Sequence, residues 1–528
     1  MILEKKIALS ELGLLPSLVQ DYLSQEEKLK QLYSFAPSWE GLALAKQAKA
    51  NFTSRDNLYR ALRGQYLNFQ LSVEQENNLT SLQAANTFTI TTAHQLCLFT
   101  GPSYFIYKIL SAIKLARLCK EKFPEDNFVP VYWMGSEDHD FEEVNHTYIY
   151  AKKLEWNRAS TGAVGRLSLE GMDLVLQELE QVLGSSEEAQ FIYQNIAKYF
   201  QKEISYGKAF QEWILSLFSS YGLLVLDQDD ALLKKSFKAV LEDEIFNNSA
   251  NLALEKNEKF LAENYHVQAN SREINVFYLS ENKRERIERK DSEFHLVNTS
   301  MSFSETEMKT ALKEQIEAFS PNVILRPLYQ ESVLPNIAFI GGPGEVSYWL
   351  QLKDLFAKHQ IQEPVILLRD MAINLAANQL DKLSSWGLGI ERMFEDLDQL
   401  KKALVEADTE HELELHEERE ALIALFEKIK HTASLIEKNL SQSVEAEQQK
   451  VLNSFSNLEA KLLRAEKKLH EQKLNQLEKI KEKLFPEQIL QERRSNFLEW
   501  YIRHSATALD SLLSSFNPLE QEMKIFRL

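Results

Sequence analysis

The sequence predicts an α/β fold: a parallel-sheet core with helices on both faces, helical insertions in that core, and a C-terminal α-helical coiled coil. Short apolar runs are each followed by a polar or glycine-rich loop and then by a helical pattern. Residues 390–485 contain neither Gly nor Pro, and apolar residues recur there at heptad spacing. A chain of 528 residues is also too long for one hydrophobic core.

Five apolar runs are the predicted strands of the parallel sheet. Each is bounded by polar residues or glycine, the pattern typical of a buried strand. In chain order they are Asn86–Thr92, Phe128–Met134, Gly222–Leu226, Asn336–Ile340 and Pro364–Leu368. Because ligands of such sheets bind beyond the carboxyl ends of the strands, the loops after these runs are the predicted functional region.

Helical periodicity follows several of these runs. It predicts helices over Tyr104–Lys122, Ala231–Leu241 and Glu345–Lys358. Residues 1–85 are predicted to be helical. Residues 151–215 and 242–320 are interpreted as helical or mixed insertions rather than as separate ligand-binding domains. The core is therefore predicted to span residues 1–388.

Residues 389–485 are predicted to form the coiled coil. Its heptad seam consists of Val451, Phe455, Leu458, Leu462, Ala465 and Leu469, after which the phase slips. One continuous helix and a hairpin that folds back within residues 439–449 fit the pattern equally well. The seam needs an apolar partner, which is this chain, the core or a second copy. Residues 486–528 regain aromatic side chains, and we expect this tail to pack back on the core.

The overall charge limits the expected partners. The formal net charge is −18, and so acidic a surface repels phosphate backbones and anionic lipids. We therefore expect neither nucleic acid nor membrane as the main partner, although a local basic pocket remains compatible with a small anion. Two cysteines form no disulfide framework, and neither a signal peptide nor a long apolar run is present. These features predict a cytoplasmic protein.

The first candidate segment is TAHQLCLFTGP, Thr92–Pro102, between a predicted strand and a predicted helix. Such a turn presents backbone N–H groups that suit a phosphate or a carboxylate. The alternative is a polar turn with a satisfied histidine. Cys97, between two leucines, is interpreted as a packed thiol rather than a nucleophile. The predicted binding residues of this segment are His94, Gln95, Thr100, Gly101 and Pro102.

The second segment, GSEDHDFEEVNH, places five carboxylates and two histidines directly after an apolar strand. Three chemistries fit: a divalent metal site, general base and acid chemistry on an amine, or a binding site for ammonium or hydroxyl groups. The HExxH spacing is absent, and we predict no metal site. An acidic surface loop is the alternative. The predicted catalytic residues are Glu137, Asp138, His139, Asp140 and His146, and Asn145 is predicted to bind substrate.

Two further segments are predicted to bind a substrate or a phosphate. In AFIGGPGEVSYWLQL, three glycines within four residues let the backbone approach a ligand closely. The spacing is neither GxGxxG nor that of a P-loop. In PNVILRPLYQ, an arginine either grips a carboxylate or phosphate or forms a structural ion pair. The predicted binding residues are Gly341, Gly342, Gly344, Glu345, Tyr348, Arg326, Tyr329 and Gln330.

Together with the late QERRSNF, the segments TAHQLCLFTGPSYFIYK, PVYWMGSEDHDFEEVNH, LRPLYQ and VLPNIAFIGGPGEVSYWLQL resemble the bacillithiol biosynthesis cysteine-adding enzymes, the BshC family. The resemblance spans nearly the whole chain. It implies a Rossmann-like core, similar to that of nucleotidyltransferases and class I aminoacyl-tRNA synthetases, and a coiled coil used for homodimerisation. It also implies a ligase that joins the carboxyl of cysteine to the amine of glucosaminyl-malate, giving a low-molecular-weight thiol.

The first segment departs from the family pattern. Many members carry Thr-Gly-Gln-Gln where this chain has Thr92-Ala93-His94-Gln95. His94 resembles the phosphate-binding histidine of nucleotidyltransferases, but their second histidine and their lysine–serine loop are not evident. The cofactor is therefore not assigned, and a nucleotide remains open.

The resulting hypothesis is that the 137–146 cluster binds the sugar amine and removes its proton, while Arg326 grips the malyl carboxylates. The turns at 94–102 and 341–345 would hold the anionic end of a substrate or a phosphate. The alternatives are a metal-dependent amide hydrolase or a nucleotidyltransferase that uses the same cleft, and a coiled-coil scaffold protein.

Overall fold

A computed structural model of the protein describes residues 1–160, 162–201, 203–408, 415–437 and 439–528. The strands in these ranges are β1 (Ile2–Ala8), β2 (Thr87–His94), β3 (Asn127–Met134), β4 (His146–Ile149), β5 (Lys152–Glu155), β6 (Leu224–Asp227), β7 (Val276–Leu279), β8 (Arg284–Lys290), β9 (Glu293–Leu296), β10 (Ser302–Phe303), β11 (Phe319–Pro321), β12 (Asn336–Gly341), β13 (Val365–Leu368), β14 (Met371–Leu375) and β15 (Glu522–Arg527).

The α-helices in the same ranges are α1 (Ser17–Leu23), α2 (Trp39–Ala48), α3 (Arg55–Gln65), α4 (Val73–Ser81), α5 (Tyr104–Lys122), α6 (Phe141–Val144), α7 (Met172–Leu183), α8 (Glu187–Phe200), α9 (Tyr206–Leu217), α10 (Ala231–Asn247), α11 (Ser249–Asn264), α12 (Glu305–Glu314), α13 (Arg326–Val333), α14 (Pro343–Trp349), α15 (Lys353–Lys358), α16 (Ala377–Ser385), α17 (Leu397–Asp408), α18 (His416–Ile436), α19 (Leu440–Leu469), α20 (Glu471–Leu484) and α21 (Leu498–Ser515). Across the described part of the chain, none of these helices combines the length and apolar content needed to cross a bilayer.

The chain divides into two compact units. Residues 1–374 and 491–528 form the first unit, and residues 375–490 form the second. The second unit is thus inserted between two parts of the first. The sequence places the domain boundaries after residues 388 and 485, and this domain assignment stays a prediction.

The first unit is built on a five-stranded sheet in the order β13-β12-β2-β3-β6. Every neighbouring pair is parallel. These strands correspond to the five apolar runs, so the predicted parallel α/β core is confirmed. They are apolar almost throughout because both faces of the sheet are covered. On one face, α5 packs over β2 and β3, and its bounds match the predicted helix.

Two local predictions are wrong. Residues 1–85 begin with a strand, β1, which pairs antiparallel with β15 at the other end of the chain. A pairing so distant in sequence leaves no local signal. The helix predicted over Glu345–Lys358 is two helices, α14 and α15, separated by a turn at residues 350–352. By contrast, the 242–320 insertion is mixed, in agreement with its interpretation as helical or mixed: beside α11 and α12 it contributes strands to an antiparallel sheet in the order β10-β9-β8-β7-β11.

The second unit resolves the geometry of the coiled coil. Helices α18 and α19 pack against each other, and Lys430 of α18 forms an ion pair with Glu445 of α19. The coiled coil is therefore a helical hairpin rather than one continuous helix. It reverses direction between the end of α18 at Ile436 and the start of α19 at Leu440, near the start of the range expected from the sequence. The heptad phase slips where α19 ends and α20 begins. The seam residues Leu458 and Leu462 of α19 remain exposed.

Candidate active site

The strand order places a crevice between β2 and β12. The chain runs from β2 to β3 and β6 on one side and returns to β12 and β13 on the other, so the order reverses between these two central strands. In open parallel sheets, ligands bind at this switch point, beyond the carboxyl ends of the strands. His94 ends β2 and Gly341 ends β12. A cavity of about 680 Å³ opens there.

Arginine dominates the charge of this cavity. Its wall includes residues that follow β2, β3 and β12, together with residues of the antiparallel insertion. Only two acidic residues, Asp138 and Glu345, line it in the described part of the chain. A chain with a net charge of −18 thus concentrates positive charge in one cleft, which suits an anionic ligand. The lining arginines are Arg272, Arg284, Arg286, Arg326, Arg369 and Arg493.

His94 is held in a single protonation state at the cavity wall. Its Nδ1 lies 3.2 Å from the backbone oxygen of Gln95, and its Nε2 lies 2.9 Å from the hydroxyl of Tyr104. Burial, and then the charge of Lys108, lower the pKa of His94 to about 3. The ring is therefore neutral, Nδ1–H donates to the carbonyl, and Nε2 accepts the proton of Tyr104. His94 thus fixes Tyr104, which also lines the cavity.

The other predicted binding residues of the first segment differ in position: Gln95 reaches the cavity, and Thr100, Gly101 and Pro102 do not. Gln95 lines the cavity and donates to Asp138 at 2.7 Å. Thr100 and Gly101 have φ angles of 71° and 62°, in the left-handed region. The carbonyl of Gly101 accepts a hydrogen bond from Asn496 at 2.7 Å. Thr100, Gly101 and Pro102 do not line the cavity, in contrast to their predicted binding role, because this turn is directed toward the 495–496 segment.

The acidic segment is divided between the interior and the cavity. Glu137 is fully buried, forms an ion pair with Lys234, and accepts hydrogen bonds from Ser320 (3.1 Å) and Gln228 (3.2 Å). Burial raises its pKa, against the opposing effect of Lys234. Glu137 therefore occupies a closed polar cluster and is absent from the cavity wall.

Asp138, the next residue, faces the cavity. It accepts hydrogen bonds from Gln95 and from the backbone N–H of His139, both at 2.7 Å. Burial raises its pKa, but the charge of Arg284 and the hydrogen bond from Gln95 outweigh burial, so the pKa lies below its ordinary value. Asp138 is thus a carboxylate at neutral pH, with an acceptor facing the arginine-lined space.

Arg284 fixes the tautomer of His139. The guanidinium Nη1 lies 3.0 Å from Nδ1 of His139, and a guanidinium only donates. Nδ1 is therefore the acceptor, and Nε2 carries the proton. Burial and the charge of Arg284 lower the pKa of His139, which keeps the ring neutral. In this geometry His139 is a hydrogen-bond donor beside the cavity.

Of the acidic segment, only Gly135 and Asp138 belong to the cavity wall among the described residues, so His139, Asp140, Asn145 and His146 lie outside it. Asp140 caps α6 by accepting from the N–H of Glu143 at 3.3 Å. The carbonyl of Asn145 accepts from the N–H of Trp156, and its side chain lies 3.0 Å from Nδ1 of His146, where β4 begins. The structure therefore separates Asp138, which lines the cavity, from the other predicted catalytic residues, of which His139 contacts the lining residue Arg284.

The glycine-rich turn contributes most of its predicted residues. Gly342, Gly344, Glu345 and Tyr348 line the cavity, whereas Gly341 packs behind them at the end of β12. Glu345 Oε2 accepts from the N–H of Gly342 at 2.9 Å and from Nζ of the buried Lys108 at 2.5 Å. Burial raises the pKa of Glu345, but Lys108 outweighs it, so the group is ionised.

Arg326 lines the cavity as predicted from its position after an apolar run. Its Nη2 donates to the hydroxyl of Tyr348 at 2.6 Å, and its Nη1 donates to Gln330 at 3.2 Å. Tyr329 and Gln330 are buried behind it, and the hydroxyl of Tyr329 donates to the carbonyl of Gln228 at 2.9 Å. Gln330 therefore supports Arg326, and neither Tyr329 nor Gln330 lines the cavity.

Sequence reasoning missed the other arginines. Arg369 directly follows the strand PVILL, the same signal that identified Arg326, and Arg493 lies in the QERRSNF motif. Arg369 is 2% exposed and donates to Glu492 at 2.6 Å and to the carbonyl of Asp370 at 2.9 Å. The guanidinium groups of Arg369 and Arg493 lie 5.2 and 6.0 Å from the ring centre of Tyr104. Arg272, Arg284 and Arg286 come from the insertion, for which no local motif gave a signal.

Comparison with known proteins identifies the family. Residues 3–370 match the family model of the bacillithiol biosynthesis BshC N-terminal Rossmann-like domain, and residues 373–528 match that of the BshC C-terminal coiled-coil domain. Relatives named "Putative cysteine ligase BshC" come from Flavobacterium psychrophilum (39% identity, 99% of both chains), Flavobacterium johnsoniae (39%, 97% of both) and Cytophaga hutchinsonii (36%, 97% of both). This membership favours a ligase over the hydrolase, nucleotidyltransferase and scaffold alternatives. With its Rossmann-like strand order, arginine-lined switch-point cavity and helical hairpin, the chain belongs to the BshC family of bacillithiol biosynthesis.

Proposed function

We propose that this protein is a cysteine ligase that joins the carboxyl of cysteine to the amine of glucosaminyl-malate through an amide (C–N) bond. The observation that carries the proposal is the arginine-lined cavity at the switch point, with Asp138 at its wall. Both proposed substrates carry carboxylates, and the acceptor carries an amine. A cavity with six arginines and two carboxylates supplies groups of the right charge for each.

We assign glucosaminyl-malate, the substrate that accepts cysteine, to the part of the cavity lined by Arg272 and Arg326. Two carboxylates of a malyl group match Arg326 and Arg272, of which Arg326 is oriented by Tyr348 and Gln330. Arginine forms paired hydrogen bonds to a carboxylate in one plane, so it fixes orientation as well as charge. Each guanidinium nitrogen of Arg284 contacts a protein group, namely Ser320, His139 and the carbonyl of Pro321, so we give Arg284 a role in positioning its neighbours.

Asp138 is the group best placed to hold the acceptor amine. Amide formation needs an amine nitrogen with a free lone pair, so a proton must leave the ammonium form. Asp138 is an ionised acceptor at the cavity wall, and Gln95 and the N–H of His139 fix its orientation. His139 does not line the cavity, and we give it a positioning role, because its backbone N–H donates to Asp138 and its Nδ1 accepts from Arg284. Glu137 and His146 have no comparable access.

Amide formation from a free carboxylate is uphill in water, so the cysteine carboxyl requires activation. The arginine side chains match a phosphate group as well as they match a carboxylate. The direct test is to incubate the protein with cysteine and glucosaminyl-malate, with and without ATP, and to follow the product by mass. The expected result is a mass equal to the sum of the two substrates minus one water. No such product under any condition would contradict the proposal.

We also propose that the protein is a homodimer through its coiled coil. Apolar side chains of α18 and α19 remain exposed, among them Leu425 (54%) and Leu458 (49%). A heptad seam left uncovered in one chain is stabilised when a second chain covers it. Replacing Leu458 and Leu462 by Glu is expected to convert the dimer to a monomer in sedimentation equilibrium. A wild-type protein that sediments as a monomer would contradict this assembly.

The cytoplasm is the proposed location. The two cysteines, Cys97 and Cys119, are both free and buried, as expected for a protein kept in a reducing compartment. Burial raises the pKa of each thiol to about 12, so neither is a reactive thiolate. Fractionation of cells that produce the protein, with a cytoplasmic marker enzyme, is the test.

A further inference from the structure

We infer that the space above Gly342 is the amino-acid subsite of this cavity, in which Glu345 receives the α-ammonium group and Arg369 with Arg493 receives the α-carboxylate group. The inference rests on the proposed function, because it concerns the binding of cysteine as one of two substrates. It goes further in assigning one substrate to one side of the cavity and in giving a role to Arg369 and Arg493.

The geometry of Gly342 defines the subsite. A Cβ atom at this position would lie 3.6 Å from Glu345 Oε2 and 3.9 Å from Arg369 Nε, with no closer atom. One point in the cavity is therefore within 4 Å of both an anionic and a cationic group. An α-amino acid has matching charges, because its ammonium nitrogen and its carboxyl carbon are bonded to the same Cα. The space exists only because residue 342 has no side chain.

Arg369 presents a donor that the protein leaves unpaired. Its Nη atoms are engaged by Glu492 and by the carbonyl of Asp370, but Nε has no hydrogen-bond partner among the described residues. The side chain is 2% exposed, and an unpaired buried donor of a charged group is costly. A ligand carboxylate at Gly342 would satisfy it. Arg493 lies over the same Tyr104 ring and adds a second, more accessible guanidinium.

Glu345 and Tyr104 provide the acceptors for the α-ammonium group of the bound amino acid. Glu345 is ionised, and its contacts with Lys108 and the N–H of Gly342 both use Oε2. Oε1 takes no part in either contact. The hydroxyl proton of Tyr104 is directed to Nε2 of His94, so the phenol oxygen of Tyr104 offers a lone pair rather than a proton to the cavity. The subsite thus combines acceptors from Glu345 and Tyr104 with the guanidinium groups of Arg369 and Arg493, and a zwitterion needs both kinds of group.

Replacing Gly342 by Ala tests this assignment directly. The φ and ψ of Gly342, −77° and 173°, are accessible to alanine, and the new methyl group makes only ordinary van der Waals contacts. The variant is therefore expected to fold and to fill the subsite. Titration calorimetry should show cysteine affinity lowered by about tenfold or more, because charge-assisted hydrogen bonds are lost, and unchanged affinity for glucosaminyl-malate. Gly64→Ala, on the exposed face of α3 with no atom near its added methyl group, is the matched control and should bind cysteine as the wild type does.

A second variant separates the two ends of the amino acid. Arg493 is exposed and makes no hydrogen bond in the described part of the chain, so Arg493→Ala should fold. It should weaken binding of cysteine and of 3-mercaptopropionate, which keeps the carboxylate, by about tenfold, and leave binding of cysteamine, which lacks it, unchanged. This second measurement keeps the inference testable if Gly342→Ala is unstable.

The outcomes distinguish the subsite from the function. If both variants bind cysteine with wild-type affinity while the wild type forms product, the subsite is elsewhere and the proposed function stands. If the wild type binds cysteine neither alone nor with the acceptor, and forms no product, both proposals fail. Selective loss of cysteine binding in the two variants, with product formation by the wild type, supports both.

Discussion

Two buried lysine–carboxylate pairs stand beyond the strand ends of the same sheet, and they differ in what surrounds them. In the closed pair, Glu137–Lys234, both side chains are buried, and Lys234 also contacts Asp229 and the carbonyl of Glu317. In the open pair, Lys108–Glu345, the lysine is 2% exposed but the glutamate side chain is 25% exposed and lines the cavity. The protein therefore uses the same type of ion pair in two settings, closed in the interior at Glu137–Lys234 and open to a ligand site at Lys108–Glu345.

Breaking the closed pair should have the largest effect. Lys234→Met leaves Glu137 charged and buried without its cation, at an expected cost of about 3–5 kcal/mol in the free energy of unfolding. Urea denaturation followed by tryptophan fluorescence measures it. The double variant Glu137→Gln with Lys234→Met should recover much of the loss, because no unpaired charge remains. A cost below about 1 kcal/mol for the single variant would mean that the pair is not closed to solvent.

A cavity carboxylate should affect turnover rather than stability. Asp138→Asn keeps the shape of the side chain and removes its negative charge, and kcat for thiol formation is expected to fall by about a hundredfold or more. The melting temperature should change little, because Asp138 is partly exposed. Product formation at the wild-type rate by the folded variant would remove Asp138 from the reaction.

The pH dependence of stability should reflect the titration of Asp227, a buried carboxyl near the closed pair Glu137–Lys234. Burial and the charge of Asp229 raise the pKa of Asp227 from its ordinary 3.8 to about 7. Between pH 3.8 and about 7, the folded state holds a proton on Asp227 that the unfolded state has released. The contribution of protonated Asp227 to the free energy of unfolding is therefore complete below about pH 4 and is lost as the pH rises through about 7. In Asp227→Asn this component should vanish. Parallel urea midpoints from pH 4 to 8 in the wild type and the variant would contradict the assignment.

The smallest effect is expected in the cavity, where one hydrogen bond to Tyr348 orients Arg326. Tyr348→Phe removes the acceptor of the 2.6 Å contact with Arg326 and leaves its contact with Gln330. The KM for glucosaminyl-malate should rise about threefold to tenfold while kcat is retained, since a net hydrogen bond is worth about 1 kcal/mol. A changed kcat at constant KM would indicate that Tyr348 acts on the reaction itself.

The sheet could be predicted from the sequence because its signals are local. Runs such as Phe128–Met134 are short, apolar and bounded by polar residues, and their order along the chain indicates parallel pairing. The strand order and the pairing of β1 with β15 are set by contacts between distant segments, so no window of sequence contains them. The same limit explains why the helix after Gly341 was predicted as one and is two.

The candidate site shows the same limit at the level of single residues. Glu137 and Asp138 are adjacent and chemically alike, and the sequence could not separate them. Their environments differ because Glu137 pairs with Lys234 and Asp138 lies near Arg284, and each of these cations is about a hundred residues or more away in sequence. Arg369 had a usable signal in its position after a strand. Arg272 and Arg286 had none, since the insertion that carries them reaches the cavity only through tertiary packing.

The insertion of residues 375–490 within the first unit has a consequence for how the protein is made. Gln491 and Asn374 are joined by two hydrogen bonds of 2.9 Å, so the chain leaves and re-enters the first unit at one point. Arg493, which lines the cavity, Glu492, which accepts a hydrogen bond from Arg369, and β15, which pairs with β1, are all synthesised after the helical hairpin. During synthesis, β1 therefore cannot pair with β15 until residues 522–527 have been made. A nascent chain that ends before residue 493 also lacks part of the cavity wall.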